Sequence, residues 1–287
     1  METLTNNTTK YSFQVDSGIV QHEYANSKNY IIEYSDQKET CNCCAIYFSS
    51  HFIYFPNTED VFRRQIVEKN HFEWFHTRYN DACKHIFVRD IFKQWYLNGI
   101  NAEIDSPDRL LAFLKQETDN MNIVCIGSSA GAYAAIMYGA LLNARRILAF
   151  NPQFEIKSLL QSTDEHLNPL LFRLRNTSYS LYFNLLNVTD INLNSIYYFY
   201  STKSKWDIAQ HEMVKHLEKI NCLGFSTSHH GIPFVKRALP IVINLSDKEL
   251  HKYCNGQNNP LFFSIKTLGL CQFLIAAFNQ IFNNIKH

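Results

Sequence analysis

Short apolar runs of strand length alternate along the chain with longer stretches in which apolar positions recur at helical spacing. Tyr30 to Tyr34, Cys43 to Ser49, His85 to Arg89, Ile123 to Ile126, Arg146 to Phe150, Ser195 to Tyr200 and Cys222 to Phe225 are rich in β-branched and aromatic residues. Each reads as a strand. Thr58 to Lys69, the run RLLAFLKQ opened by Ser106-Pro107-Asp108, Gly131 to Asn143 and Ile208 to Lys219 read as helices. Ser106 suits an N-cap, and Pro107 suits the first helical turn, where its missing N–H costs nothing. Apolar strands separated by helices predict an α/β fold, with a mainly parallel central sheet and helices on both faces.

Three segments depart from this rhythm. At the front, YSFQVD and IVQHEY flank Ser17-Gly18, which predicts a hairpin within an N-terminal extension over residues 1–28. Residues 154–190 lack a clear strand but carry LLFRLRNTSYSLYFNLL. So long a structureless loop is improbable in a compact domain, and a helical lid inserted between two core strands is expected. Leu261 to Phe282 is the most apolar window, interrupted by Lys266, Gln272 and Asn279. A spanning helix needs about 20 apolar residues, so a buried terminal helix is expected there. No repeat or Pro/Gly/Ser linker divides the chain, which reads as a single domain over residues 1–287.

Composition narrows the function classes. Of 287 residues, 46% are hydrophobic, enough for a large core. Lys plus Arg number 27 against 26 for Asp plus Glu, so no basic excess points to nucleic acid. Eight cysteines at this length are too sparse for a disulfide scaffold and lack zinc-ligand spacing, so reduced thiols and no metal are expected. The start, METLTNNTTKYSFQ, has neither the basic residues nor the apolar run of a signal peptide. A cytoplasmic location is the expectation.

The chemistry concentrates at Gly127-Ser128-Ser129-Ala130-Gly131, directly after the strand IVCI and opening the helix AYAAIMYGALL. G-x-S-x-G in strand–turn–helix context is the nucleophile elbow of α/β-hydrolases: the turn strains the serine backbone and lifts its hydroxyl above the sheet. A serine needs a base and an orienting acid, in the chain order serine, acid, histidine. Asp207 follows the strand SIYYFY by one short loop and is the favoured acid, with Glu212 and Asp190 as rivals. His230 follows CLGF and is the favoured base, with the adjacent His229 as the alternative. An oxyanion hole needs two N–H groups, one expected from Ala130 and the other from Ser50 or His51 after the strand CCAIYF. Arg89, beside Asp90 at the end of HIFV, is a candidate substrate-binding residue or half of a structural ion pair. In the lid, Arg173 and Arg175 are candidates for binding phosphates or an acidic glycan, and Phe172, Tyr179, Tyr182, Phe183 and Leu185 for covering the site.

The stretches GSSAGAYAAIMYGALLNARRILAFNPQ, VRDIFKQWYLNGI and GFSTSHHGIPF resemble α/β-hydrolase-fold proteins of bacterial capsule and surface-polysaccharide biosynthesis, some of them polysaccharide O-acetyltransferases. The resemblance spans roughly residues 43 to 236, with Ala132 where many relatives have a second glycine. It implies Ser129 as nucleophile, Asp207 as acid and His230 as base. It also implies transfer of an acetyl group from acetyl-CoA to a glycan hydroxyl, with no resident cofactor, and association with polysaccharide-synthesis enzymes. A carboxylesterase acting on small acyl esters through the same triad, or a noncatalytic partner in a glycan-synthesis complex, are the alternatives.

Overall fold

The computed structural model describes residues 11–35, 41–161, 168–187, 195–217 and 219–275. Eight strands form one sheet: β1 Tyr30–Tyr34, β2 Cys43–Phe48, β3 Lys84–Val88, β4 Asn122–Ser128, β5 Arg146–Phe150, β6 Ile196–Ser201, β7 Asn221–Phe225 and β8 Gln257–Asn258. Their order across the sheet is β1-β3-β2-β4-β5-β6-β7-β8. Among the described strands only β1 runs antiparallel, in register with β3 from Tyr30↔Val88 to Tyr34↔Lys84. Every other pair is parallel, so the ends of β2 to β7 emerge along one edge.

Ten α-helices accompany the strands among the described residues: α1 Phe13–Asp16, α2 Gly18–Asn26, α3 Glu59–Phe62, α4 Pro107–Glu117, α5 Ala130–Leu141, α6 Pro169–Leu174, α7 Lys205–Val214, α8 Leu239–Val242, α9 Asp247–His251 and α10 Pro260–Leu268. Two apolar clusters form, one against each sheet face. One gathers Ile46, Phe48, Cys125, Ile147 and α5; the other gathers Tyr47, Ile126, Phe150, Phe199 and Phe263. Helix α5 is buried from Ala130 to Gly139, and its small residues allow that depth. Gly139 lies so close to Ile147 that an added Cβ would stand 2.7 Å from its Cδ1. Ser106 caps α4 by accepting the Arg109 N–H, an interaction worth about 1 kcal/mol.

Three expectations are corrected, and one strand is added. Residues 13–26 form α1 and α2 rather than a hairpin. Asp16 accepts the Ser12 N–H at 2.7 Å, and Val20 and Tyr24, four residues apart, turn to the same core. Tyr24 stacks on Phe92 at 4.2 Å, so helical spacing wins over the turn signal. The helix expected over 58–69 is α only to Phe62 and continues as a π-helix, Arg63–Glu68. Of the C-terminal window, residues 276–282 lie outside the described residues; in α10, Phe263, Ser264 and Leu268 face the core, while Leu261 and Phe262 are exposed. Strand β8 carries no apolar run and exists because β7 offers a free edge, pairing Gly224↔Gln257 and Phe225↔Asn258.

The described part of the 154–190 segment comprises three 3-10 turns and α6. Two buried glutamines fasten it. Gln210 Oε1 accepts the Phe154 and Glu155 N–H groups, and Gln94 Oε1 accepts those of Leu170 and Leu171. Phe183 and Leu185 are core residues, and Tyr182 donates to Asp108 of α4 at 2.9 Å. Among the described residues no helix is long and apolar enough to cross a membrane. All eight cysteines are unpaired.

Candidate active site

Ser129 stands between β4 and α5 with φ +52° and ψ −122°, a conformation side chains normally avoid. The flanking glycines make it possible. A Cβ at Gly127 would lie 2.1 Å from the Gly131 carbonyl oxygen, and one at Gly131 would lie 2.2 Å from the Phe48 oxygen. Both positions are backbone against backbone, so no rotamer relieves them. The Ser129 N–H donates to Phe150 O at 2.8 Å, which ties the turn to β5.

The serine hydroxyl lies 2.8 Å from His230 Nε2, and His230 Nδ1 lies 2.7 Å from Asp207 Oδ1. The Asp207 carboxylate accepts, so Nδ1 carries the proton and Nε2 is left to accept from the serine hydroxyl. Asp207 is 1% exposed and the His230 side chain 29%. Asp207 sits in the first turn of α7, whose N-cap is Ser204. Its second oxygen, Oδ2, is buried without a hydrogen-bond partner among the described residues. The indole of Trp206 lies parallel to the His230 ring, with centroids 5.2 Å apart and planes 4° apart.

The loop carrying His230 is held by two residues that directly follow or end strands. Asn151 Nδ2 donates to Gly231 O at 2.9 Å and to Ser201 Oγ at 3.1 Å, while Ser201 Oγ donates to His229 O at 2.5 Å. His229 itself is exposed, its N–H donating to Thr227 Oγ1; its ring is not the one on Ser129. Glu212 is exposed and paired with Lys215, away from the imidazole. Asp190 lies outside the described residues.

Across Ser129, the Ala130 N–H opens α5, where no preceding helical carbonyl can accept it. Ser50 is corrected as the second donor: its N–H is taken by Glu73 Oε2 at 2.6 Å. His51 is the remaining candidate. Its Nε2 accepts the Trp95 N–H at 3.4 Å, and burial, then the nearby Lys93 and His230, holds its imidazole well below the ordinary value. Trp95 is presented by a loop that Asp90 organises, accepting the N–H groups of Phe92, Lys93, Gln94 and Tyr96. Burial pushes the Asp90 carboxyl up to about 6 against these bonds.

The three arginines are not in this cluster. Arg173 forms a salt bridge with Asp16 at 2.9 Å, pinning α6 to α1. Arg175 folds over the Phe172 ring, 4.0 Å from its centroid, and donates to Phe172 O. Arg89 is not paired with Asp90; it donates to Asn29 Oδ1 and His71 O. Trp206, Asn151, Ser201 and Glu73 escape the sequence reading. The signal for Asn151 and Ser201 is position alone, at the ends of neighbouring strands on the edge that bears the elbow. Among the described residues no group of three or more His, Cys, Asp or Glu is placed to hold a metal ion.

No family model matches the sequence, and no curated protein does. Among solved structures, the chain is similar to the capsule O-acetyltransferase of Neisseria meningitidis serogroup A, with 14% identity, TM-score 0.47, and coverage of 69% of this chain and 82% of that one. It is also similar to a glycosylation-associated protein (Gap123) complex from Streptococcus agalactiae, with 17% identity, TM-score 0.46, and coverage of 68% and 39%. Esterase B from Lactobacillus rhamnosis is a third, with 11% identity, TM-score 0.46, and coverage of 91% and 86%. The strand order, the elbow and the chain order serine, acid, histidine define an α/β-hydrolase fold.

Proposed function

We propose that the protein is a serine acyl-transfer enzyme that moves an acetyl group from acetyl-CoA to a hydroxyl of a bacterial capsular or surface polysaccharide, in the cytoplasm. The observation that carries the acyl chemistry is the unbroken chain Ser129 Oγ, His230 Nε2, His230 Nδ1, Asp207 Oδ1 at 2.8 and 2.7 Å, built on a strained elbow. The glycan acceptor rests on the sequence resemblance.

The steps follow from these positions. Ser129 Oγ attacks the thioester carbonyl as His230 Nε2 takes its proton, and Asp207 stabilises the imidazolium. The tetrahedral oxyanion is received by the N–H groups of Ala130 and His51. Collapse breaks the C–S bond; His230 returns the proton to the departing thiolate, leaving acetyl-Ser129 and CoA. A sugar hydroxyl then gives its proton to His230 and attacks the acetyl carbonyl; the Ser129 Oγ–acetyl bond breaks and His230 returns the proton to Oγ, releasing the O-acetyl sugar and free Ser129. Water in place of the sugar makes the same site an esterase, and the 29% exposure of the His230 side chain favours that second reading. With neither outcome, the protein is a noncatalytic partner of glycan-synthesis enzymes.

Labelling with a fluorophosphonate probe tests the serine. Ser129→Ala is expected to abolish it, and unchanged labelling places the reactive serine elsewhere. CoA release from acetyl-CoA, measured with and without a panel of acidic and neutral oligosaccharides, separates the acceptors. Acceleration with a new O-acetyl group on the glycan supports transfer; fast ester hydrolysis indifferent to every glycan supports the esterase.

A further inference from the structure

Where the end of β3 meets the entry to β1, a cavity of ≈ 380 Å³ is lined by Arg89, Glu23, Lys28, Asn29, Val67 and Phe72 among others, and by no residue of the triad. Arg89 is 2% exposed. Its Nε–H donates to Asn29 Oδ1 at 2.9 Å and Nη1 to His71 O at 3.1 Å, both neutral acceptors. The guanidinium carbon rests 4.4 Å from the Phe72 ring centroid. Among the described residues Arg89 has no ion-pair partner, and Nη2 has no hydrogen bond. Glu23, the acid in the cavity wall, instead accepts from the Ser27 hydroxyl at 2.5 Å.

A guanidinium has five N–H donors in a planar fork, and two are used here. Taking such a cation out of water without a directly hydrogen-bonded anion costs several kcal/mol. Burial lowers the Arg89 guanidinium to about 10, opposed by the Glu23 carboxylate in the same wall. The cavity volume falls in the lower part of the range for small-molecule sites, about 300–1,000 Å³, which suits a monosaccharide-sized group. Glu23 and Asn70 offer hydrogen-bonding partners for hydroxyls, and Val67 and Phe72 an apolar wall.

We propose that this cavity is an oxyanion-binding site for a carboxylate or phosphate borne on a sugar-sized, hydroxylated group. Arg89 supplies the fork and the exposed Lys28 a second positive charge at the rim. The cavity is coupled to the oxyanion loop through His71, Glu73 and Trp74. His71 receives Arg89, Glu73 holds the Ser50 N–H, and Trp74 donates its indole N–H to Phe48 O at 2.9 Å. Under the acyl-transfer reading, on which only this last role rests, the site holds an acidic unit of the acceptor glycan; binding itself requires no chemistry at Ser129.

Calorimetric titration of the full chain with glucuronate, glucose 1-phosphate, inorganic phosphate and glucose tests this. Glucuronate or glucose 1-phosphate is expected to saturate the site and glucose is not; the tighter of the two assigns carboxylate or phosphate. Arg89→Gln should weaken the bound anion about tenfold or more and Lys28→Gln about threefold, as a buried fork and an exposed point charge differ. Val67→Trp, at the partly exposed rim, should block binding while the thermal melt is unchanged. It keeps the test valid if Arg89→Gln fails to fold. Ser129→Ala should bind as the parent does, so loss of acyl activity and loss of this site are separable. No saturation by either sugar anion, equal binding of glucose, inorganic phosphate binding as tightly as the sugar anions, or binding indifferent to Val67→Trp would each overturn the proposal.

Discussion

The two sides of Ser129 are built differently. On the base side, each group comes from the end of a strand or the first turn after it: Asn151 after β5, Ser201 at the end of β6, Asp207 in the first turn of α7, and His230 beyond β7. On the oxyanion side, the ends of β2 and β3 supply little directly. The Ser50–His51 turn is braced by Glu73 and Trp95, and Trp95 by a loop in which Lys93, Trp95 and Tyr96 all have positive φ. Groups that move protons need side chains of defined reach, and strand ends place them economically. Groups that present N–H donors need a shaped backbone, and here Asp90 accepts four N–H bonds and Glu73 one.

Breaking the base side at its acid has the largest expected effect. Asp207→Asn leaves the packing of α7 intact but presents an amide to Nδ1, favouring the wrong imidazole tautomer. Acyl-enzyme formation should fall by about 10³–10⁴-fold. Stopped-flow labelling measures it, and His229→Ala, removing the exposed neighbour, should change the rate by less than about twofold. A rate for Asp207→Asn within tenfold of the parent would show that Asp207 does not orient the base.

Breaking the oxyanion side should register first as stability. Asp90→Ala leaves four N–H groups of residues 92–96 without their acceptor in a buried loop. A loss of about 3 kcal/mol or more is expected from urea denaturation, because each orphaned buried donor costs roughly 1–3 kcal/mol and relaxation recovers part of it. A smaller loss, below about 1 kcal/mol, would mean that the loop is braced from elsewhere.

Trp206 sharpens the comparison within the base side. Its indole face covers His230 in parallel, and under the proposed reaction it would stabilise the imidazolium by about 0.5–2 kcal/mol. Trp206→Ala should slow labelling about 3- to 30-fold, with most of the rate recovered in Trp206→Phe. Equal rates for the Ala and Phe variants would assign Trp206 no role beyond surface packing.

The same contrast explains what could be read from the sequence. Ser129 was legible because Gly127 and Gly131 are demanded by backbone contacts that any residue with a Cβ violates. Asp207 and His230 were legible because both follow apolar strand runs at one edge of a parallel sheet. Glu73 and Trp95 were not: they lie 23 and 44 residues from Ser50 and His51, in loops whose paths depend on tertiary contacts. Residues 13–26 failed for the same reason, since Ser17-Gly18 is a local turn signal and the packing of Val20 and Tyr24 is not local. Arg173 reads locally as a free cation, but its partner Asp16 is 157 residues away.

Glu73 provides the finest test of the oxyanion side, through pH. Its carboxylate accepts the Ser50 N–H, and burial raises its pKa above the ordinary value, opposed by the bonds to Ser50 and by Lys236. With the folded pKa above the unfolded one, the folded state holds the proton more tightly. The stability this contributes is present below the unfolded value and is lost as pH rises through the folded one. Glu73→Gln retains an oxygen for the Ser50 N–H and has nothing to ionise. Relative to the parent, it should therefore gain stability between pH 4 and pH 8, measured by urea denaturation at both. Its labelling rate should stay within about threefold, because the N–H brace persists. A variant that loses ground to the parent as pH rises would show that the ionised carboxylate, rather than any acceptor at that position, holds the turn in place.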